Sequence, residues 1–443
     1  MNQPALTADF IIQPGWIIPM ESGDEVLSGH AIAVENGRIK AILANQDVPR
    51  DPGMERLELP GHAVLPGLIN AHGHAAMSLL RGFADDLPLM PWLENHIWPA
   101  EAAHVSEAFV RDGSTLAMAE MLLSGTTTFS DMYFFPEVVA SLCRKIGMRA
   151  QLATPVFDFP TVWGDGADDY ISKSLALRDD LKNVDRLSVA FGPHAPYTVS
   201  IATLEKVALF AAELDMGVHI HLHETAGEVL SAVEATGERP LDTLRRLGLL
   251  GPRTQCVHMT SLGNQDIASL AETGAQVIHC PQSNMKLASG TCPVKELQAA
   301  GVNVGLGTDG AASNNDLNMF NEMHSAALLA KLSSADPTVL PAYRALHMAT
   351  LGGAIALGLD DEIGSIKPGK QADLIAIDLS APATQPLYNP LSQLVYACTG
   401  GEVTHSWVGG EALLRDRKLL TLDLQETLER AQSWGRKIST NAQ

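Results

Sequence analysis

The sequence predicts an α/β protein: a TIM-like (β/α)8 barrel with a small composite β-sandwich formed by the N- and C-terminal segments. Three observations carry this expectation. Short apolar runs at 63–69, 126–130, 149–156, 187–191, 218–222, 255–259, 276–279 and 302–306 alternate with helical stretches, and eight such units over roughly 250 residues match a closed parallel barrel. Histidine or acidic side chains follow nearly every run. Strand-like pieces broken by Gly and Pro occupy both chain ends, each set too small to close a core alone.

Taken in order, the first pieces are Phe10-Ile11-Ile12, Trp16-Ile17-Ile18 and Ala31-Ile32-Ala33-Val34. Glu35-Asn36-Gly37-Arg38 reads as a hairpin turn, because Asn-Gly tolerates positive φ at both central positions. Amphipathic helices at 106–124, 201–214 and 264–273 separate barrel runs. Strand-like pieces return at 364–369, 372–377 and 403–408, with Gly409-Gly410 as a turn, before a last helix at about 424–437. Residues 1–62 with 358–443 are therefore expected to form the sandwich, and 63–357 the catalytic barrel.

The 51 acids against 30 bases among 443 residues give a net charge of −21. So acidic a chain repels phosphate backbones and anionic membranes, which argues against either as partner. No run approaches the roughly 18 apolar residues of a spanning helix. Five scattered cysteines without a CxxC read as reduced thiols. Together with a start that lacks a basic-then-apolar leader, they predict a cytoplasmic protein.

The chemistry begins at His72-Gly73-His74. In a strand the i, i+2 spacing puts both rings on one face about 6.7 Å apart, close enough to share one metal ion. The later strands end in Asp131, His194, His221 with His223 and Glu224, His258, His279 and Asp309. Functional groups of such barrels gather at the carboxyl ends of the strands, so these converge. His72, His74, His221 and Asp309 supply three nitrogens and one oxygen for a divalent cation, zinc by preference, although iron or manganese suits the same donors. Glu224, three residues past His221, is placed to hold and deliver a proton. His258 is expected to orient the attacking water, and Asp309 to take its proton as well as to ligate. His219 falls deeper in the barrel and reads as structural. His279 fits either a place behind the ligands or plain packing, and Asp131 a place behind the ligands.

With His72-Gly73-His74, His221-Leu222-His223-Glu224, Val257-His258, His279-Cys280-Pro281-Gln282-Ser283-Asn284 and Gly307-Thr308-Asp309-Gly310, the chain resembles the amidohydrolase superfamily. Within it the likeness is greatest to the 5′-methylthioadenosine/S-adenosylhomocysteine deaminases, over nearly the whole chain. The resemblance implies one zinc on His72, His74, His221 and Asp309, since Gly192-Pro193-His194 offers no lysine for a second metal. It implies that Glu101 grips ribose hydroxyls, that His194 binds the sugar side and that Trp92 lines the pocket. It further implies hydrolytic deamination of a small nucleoside: water adds to C6 of a 6-aminopurine, Glu224 protonates N1, and ammonia leaves an inosine derivative. Relatives that accept S-adenosylhomocysteine can hold its carboxylate with arginines after the third strand. Here that stretch, 154–169, is apolar and acidic, so 5′-methylthioadenosine or another uncharged adenosine derivative is the expected substrate. The alternatives are a related enzyme acting on a guanine, cytosine or s-triazine type of ring, and a non-catalytic scaffold. Barrels of this kind often self-associate, so a homo-oligomer is expected.

Overall fold

The computed structural model describes residues 7–49 and 53–441; residues 1–4, part of the start read as leaderless, lie outside them. Eight parallel strands follow one another in sequence order: Leu68–Gly73, Thr126–Asp131, Arg149–Val156, Leu187–Pro193, Gly217–Leu222, Thr254–His258, Gln276–His279 and Val304–Leu306. A parallel bridge between Gly73 and Asp309, with the Asp309 N–H donating to the His72 carbonyl at 3.0 Å, brings the last strand back to the first. The ring is thereby closed, and the polar strand ends share one rim.

The first apolar run divides where the sequence shows no break. Residues 63–66 finish a long strand, Glu55–Pro66, that pairs with Leu374–Asp378 outside the barrel, and the barrel strand starts at Leu68. Both halves are apolar because both are buried, so the pattern is continuous across Gly67. Glycine is required at the crossing, since a Cβ there would lie 2.1 Å from Thr127 Oγ1.

Among the described residues the second sheet has nine strands. Phe10–Ile17, Leu27–Ser28, His30–Glu35, Arg38–Ala44 and Glu55–Pro66 come from the start of the chain, and Leu374–Asp378, Val403–Val408, Glu411–Arg415 and Lys418–Leu419 from its end. The two sets join as expected, through Glu55–Pro66 against Leu374–Asp378. The edge strand Arg38–Ala44 is tied to the segment before Leu374–Asp378, with Ile39 N–H donating to the Lys370 carbonyl at 2.8 Å. Ile12, Ile32, Ile39, Leu374 and Trp407 form the sheet's buried apolar cluster. Asn36 and Gly37 turn the predicted hairpin at φ 52° and 75°.

Two details depart from expectation. The pieces at 10–12 and 16–17 belong to one strand, with Ile18 just past its end, because a bulge between Pro14 and Trp16 absorbs the breakers. Residues 364–369 form no strand; only isolated bonds, such as Ile366 N–H to the Pro19 carbonyl at 2.7 Å, tie them down.

The helices start and stop where capping chemistry allows. Ser106 Oγ accepts from Phe109 N–H at 3.3 Å to open Glu107–Leu123, and Ser200 opens Ile201–Leu214 likewise. Asn264–Thr273 ends at Gly274, φ 73°. The last helix, Leu424–Asn441, runs four residues beyond its predicted end. Barrel and sheet are locked by a buried ion pair, Arg149 Nε to Asp373 Oδ2 at 2.8 Å, with Asp373 Oδ1 also accepting from Gly409 N–H at 2.6 Å. Among the described residues no helix is long and apolar enough to cross a membrane.

Candidate active site

The strand ends open into a cavity of about 320 Å³, lined by His74, His194, His221, Glu224, His258 and Asp309 on the barrel side and by Trp92, Glu101, Tyr133 and Phe157 around it. Side chains on alternate positions of Gly217–Leu222 share a face, which carries His219 and His221 inward together. At the strand ends the backbone turns abruptly: His223, His258 and Asp309 adopt φ of 51°, 75° and 63°. Non-glycine residues in this region cost on the order of 1 kcal/mol or more, and such strain collects where side chains must be re-aimed.

The predicted ligands converge on His72 Nε2. His221 Nε2 lies 3.2 Å and Asp309 Oδ1 3.3 Å from it, and His74 Nε2 lies 3.2 Å from the same Asp309 oxygen. Two overlapping groups have ligand atoms within 4.8 Å of one another: His72, His74 and Asp309, and His72, His221 and His258. His258 thus stands closer to the ligand cluster than its expected role of holding water required.

These donors fit a divalent cation. Each ring spends its other nitrogen on a fixed partner: His74 Nδ1 donates to the Met132 carbonyl at 2.6 Å and His221 Nδ1 to the His194 carbonyl at 2.8 Å. Their Nε2 lone pairs therefore face each other and Asp309, an arrangement that only a cation or protons can hold together. The field agrees. Burial works against charge on His74, yet Asp309 outweighs it and lifts the ring to about 9. Burial likewise pushes Asp309 up, and His72 and His74 more than reverse this, holding it well below the carboxylate range. Ser283 and Ser313 hydroxyls donate to Asp309 Oδ2 at 2.7 and 3.0 Å and fix its plane.

Glu224 is buried beside this cluster, with Oε2 3.8 Å from His258 Nε2. Burial raises its pKa, and His258 draws it part of the way back. His258 Nδ1 lies 2.9 Å from Asn284 Oδ1. Glu228 accepts from the backbone N–H of both His223 and Glu224, at 3.0 and 2.7 Å, and so holds the loop that carries Glu224.

Glu101 and Trp92 reach the cavity from the segment after the first strand, and His194 from the fourth strand. Tyr133 donates to Glu101 Oε1 at 2.7 Å; burial lifts Glu101 to about 7 against the pull of Tyr133 and His74. His194 Nδ1 pairs with Thr198 Oγ1 at 3.0 Å. His219 lies deeper, as expected. His223 leaves the cavity, its ring held between the Ser261 carbonyl at 3.1 Å and Leu241 N–H at 3.2 Å. His279 is buried with Nδ1 unpartnered, and Asp131 accepts from Ala75 N–H at 2.7 Å behind His74. The sequence gives no role to Tyr133, to Glu228 or to Tyr197, which also lines the cavity, and Asn284 enters only within the motif that begins at His279. For Tyr133 a signal existed, its place two residues past Asp131 at a strand end; Glu228 sits on the following helix, where a glutamate is unremarked.

The Amidohydrolase family profile matches residues 63–413. A 5-methylthioadenosine/S-adenosylhomocysteine deaminase of Teredinibacter turnerae is 52% identical over 98% of both chains, and one of Saccharophagus degradans 50% identical over 97% of both. Among solved structures, an adenosine deaminase from Xanthomonas campestris with bound zinc superposes at a TM-score of 0.96, with 49% identity over 98% of this chain and 99% of that one. Profile, relatives and site geometry agree: the chain belongs to the amidohydrolase family, in the group of the 5-methylthioadenosine/S-adenosylhomocysteine deaminases.

Proposed function

We propose that the protein is a zinc-dependent hydrolase that deaminates 6-aminopurine nucleosides, with 5′-methylthioadenosine or a similar uncharged derivative preferred, to the inosine derivative and ammonia. The observation that carries this reading is the buried Glu224, its pKa raised by burial, 3.8 Å from His258 in one cavity with Asp309 and Glu101, alongside full-length likeness to deaminases. His72, His74, His221 and Asp309 would hold the zinc. Bound there, the ion polarises a water so that it is nucleophilic near neutral pH.

The chain's own groups supply the rest. His258, anchored by Asn284, orients the water. Asp309 accepts its proton as the oxygen adds to C6. Glu224 gives its proton to N1, so that charge does not build on the ring; Asp309 then passes the water's proton to the amino group, the C–N bond breaks to release ammonia, and the remaining hydroxyl proton returns to Glu224 as the C6 carbonyl forms. Glu101 has Oε1 engaged by Tyr133, which leaves Oε2 for the sugar hydroxyls, while His194 and Trp92 bound the nucleoside. The sandwich at 1–62 and 358–443 serves as a separate domain beside the catalytic barrel at 63–357, a division supported by the two sheets.

Choice of substrate follows from charge. No lysine or arginine is among the described residues that line the cavity, whereas Glu101, Glu224 and Asp309 are. Phe157, Phe159 and Val162 present an apolar wall after the third strand. An amino acid carboxylate entering this cavity meets no lysine or arginine among the described lining residues. Ammonia release should therefore give a higher kcat/KM for 5′-methylthioadenosine than for S-adenosylhomocysteine. Activity confined to free bases would refute the nucleoside reading, and a preference for S-adenosylhomocysteine would refute the charge argument. The reading extends to a cytoplasmic homo-oligomer, supported by five free, buried cysteines and by exposed Leu332 and Tyr388. Light scattering on the purified chain tests the assembly.

A further inference from the structure

Two polar side chains lie below the proposed zinc ligands, in a layer where a barrel normally packs Val, Ile and Leu. His219 is fully buried and Gln255 is 1% exposed. They are direct neighbours in the ladder between Gly217–Leu222 and Thr254–His258, so both side chains point into the barrel at one level. Polar groups this deep are costly unless every one is satisfied. Here they form a single line. Gln255 Oε1 lies 2.5 Å from His219 Nδ1, and His219 Nε2 lies 2.8 Å from His72 Nδ1. The His219 and His72 rings are nearly parallel, 23° apart with centroids separated by 5.0 Å.

We propose that His219 and Gln255 are positioning residues that fix the protonation order of His72 and so aim its Nε2 lone pair at the metal. This rests on the reading of His72 as a ligand. With the Gln255 amide oxygen facing His219, the order of protons along the line follows. An amide oxygen only accepts, so His219 carries its proton on Nδ1. Its Nε2 is then an acceptor, so His72 carries its proton on Nδ1 and leaves Nε2 bare. Reversing the Gln255 amide would reverse both rings and put a proton on His72 Nε2, where it would block coordination. The other two proposed imidazole ligands rest on backbone carbonyls, which cannot reverse. His72 alone depends on side chains, and it is also the ring shared by both ligand groups.

The test is zinc affinity, measured by chelator competition on the intact protein, with thermal stability of the zinc-free forms followed in parallel. Removal of a hydrogen-bond partner of a ligating histidine typically weakens metal binding by about 10–100-fold, and His219→Leu should fall in that range. His219→Gln, which can return an acceptor oxygen near the lost Nε2, should recover most of the affinity. Gln255→Leu should weaken zinc as His219→Leu does, whereas Gln255→Glu, whose carboxylate only accepts, should hold it at least as tightly as the parent. If His219→Leu does not fold, the two Gln255 variants decide by themselves. Unchanged affinity in both leucine variants, or equal loss in Gln255→Leu and Gln255→Glu, overturns the relay. His72→Ala keeps the two readings apart. Should it retain tight zinc, the ligand assignment fails; should it lose zinc while both leucine variants keep it, only the relay does.

Discussion

At Glu224 two environments act on one proton. Burial favours the neutral acid, while His258 at 3.8 Å favours the anion. A group balanced in this way can give up a proton and regain it within one turnover. Replacing it by an isosteric amide removes the proton and little else. Glu224→Gln should keep one equivalent of zinc by metal analysis, and its kcat should fall by about 10²–10⁴-fold, the usual contribution of a placed acid or base. Near-normal turnover would remove Glu224 from the reaction. The residue was legible in the sequence because it follows His221 at a fixed short spacing past a strand. Its supports were not. Asn284 behind His258 and Glu228 beneath the loop act through hydrogen bonds between separate segments or across one helical turn, and such pairings leave no periodicity to read.

Among the elements, one close fit bears directly on the site: the eighth strand passes the first at Gly307. A Cβ on Gly307 would sit 2.8 Å from both the Cβ and the N of His72. Real Cβ atoms do not approach so closely, so Gly307→Ala must push the strands apart at the point where Asp309 meets His72. Overpacking of this kind costs about 1–3 kcal/mol, and a loss of zinc affinity should accompany it. Gly251→Ala is the control, since nothing lies within 4 Å of its added methyl. Urea unfolding and zinc titration of the two variants should separate clearly; equal behaviour would mean that the seam yields without consequence. The strands themselves were legible because apolar runs alternated with helices. The division of 63–69 was not, since a strand buried in the sheet and a strand buried in the barrel look alike, and only the crowding of Gly67 by Thr127 marks the crossing.

In the whole molecule, barrel and sheet share one buried charge pair. The Arg149 and Asp373 side chains are only 9% and 2% exposed. Removing one partner strands the other. Asp373→Ala should cost about 3–5 kcal/mol in denaturant unfolding, as breaking a buried pair typically does, and should also free the Gly409 N–H. A change under 1 kcal/mol would show that water replaces the carboxylate. Nothing in the sequence paired these two residues, because an ion pair between distant segments has no local signature. The pairing of the chain ends was legible for a different reason: neither set of strands could bury its apolar face alone.

The seam between Gly73 and Asp309 also sets an order in time. On the proposed ligand set, the first donors are made early and the last only after the eighth strand. A chain growing from its N-terminus therefore passes through a stretch in which the histidines are made and no carboxylate completes the set. Chemistry arrives at one moment, when the ring shuts. A product that stops before Asp309 lacks the carboxylate, so the geometry that closes the ring also marks the point at which every barrel strand has been made.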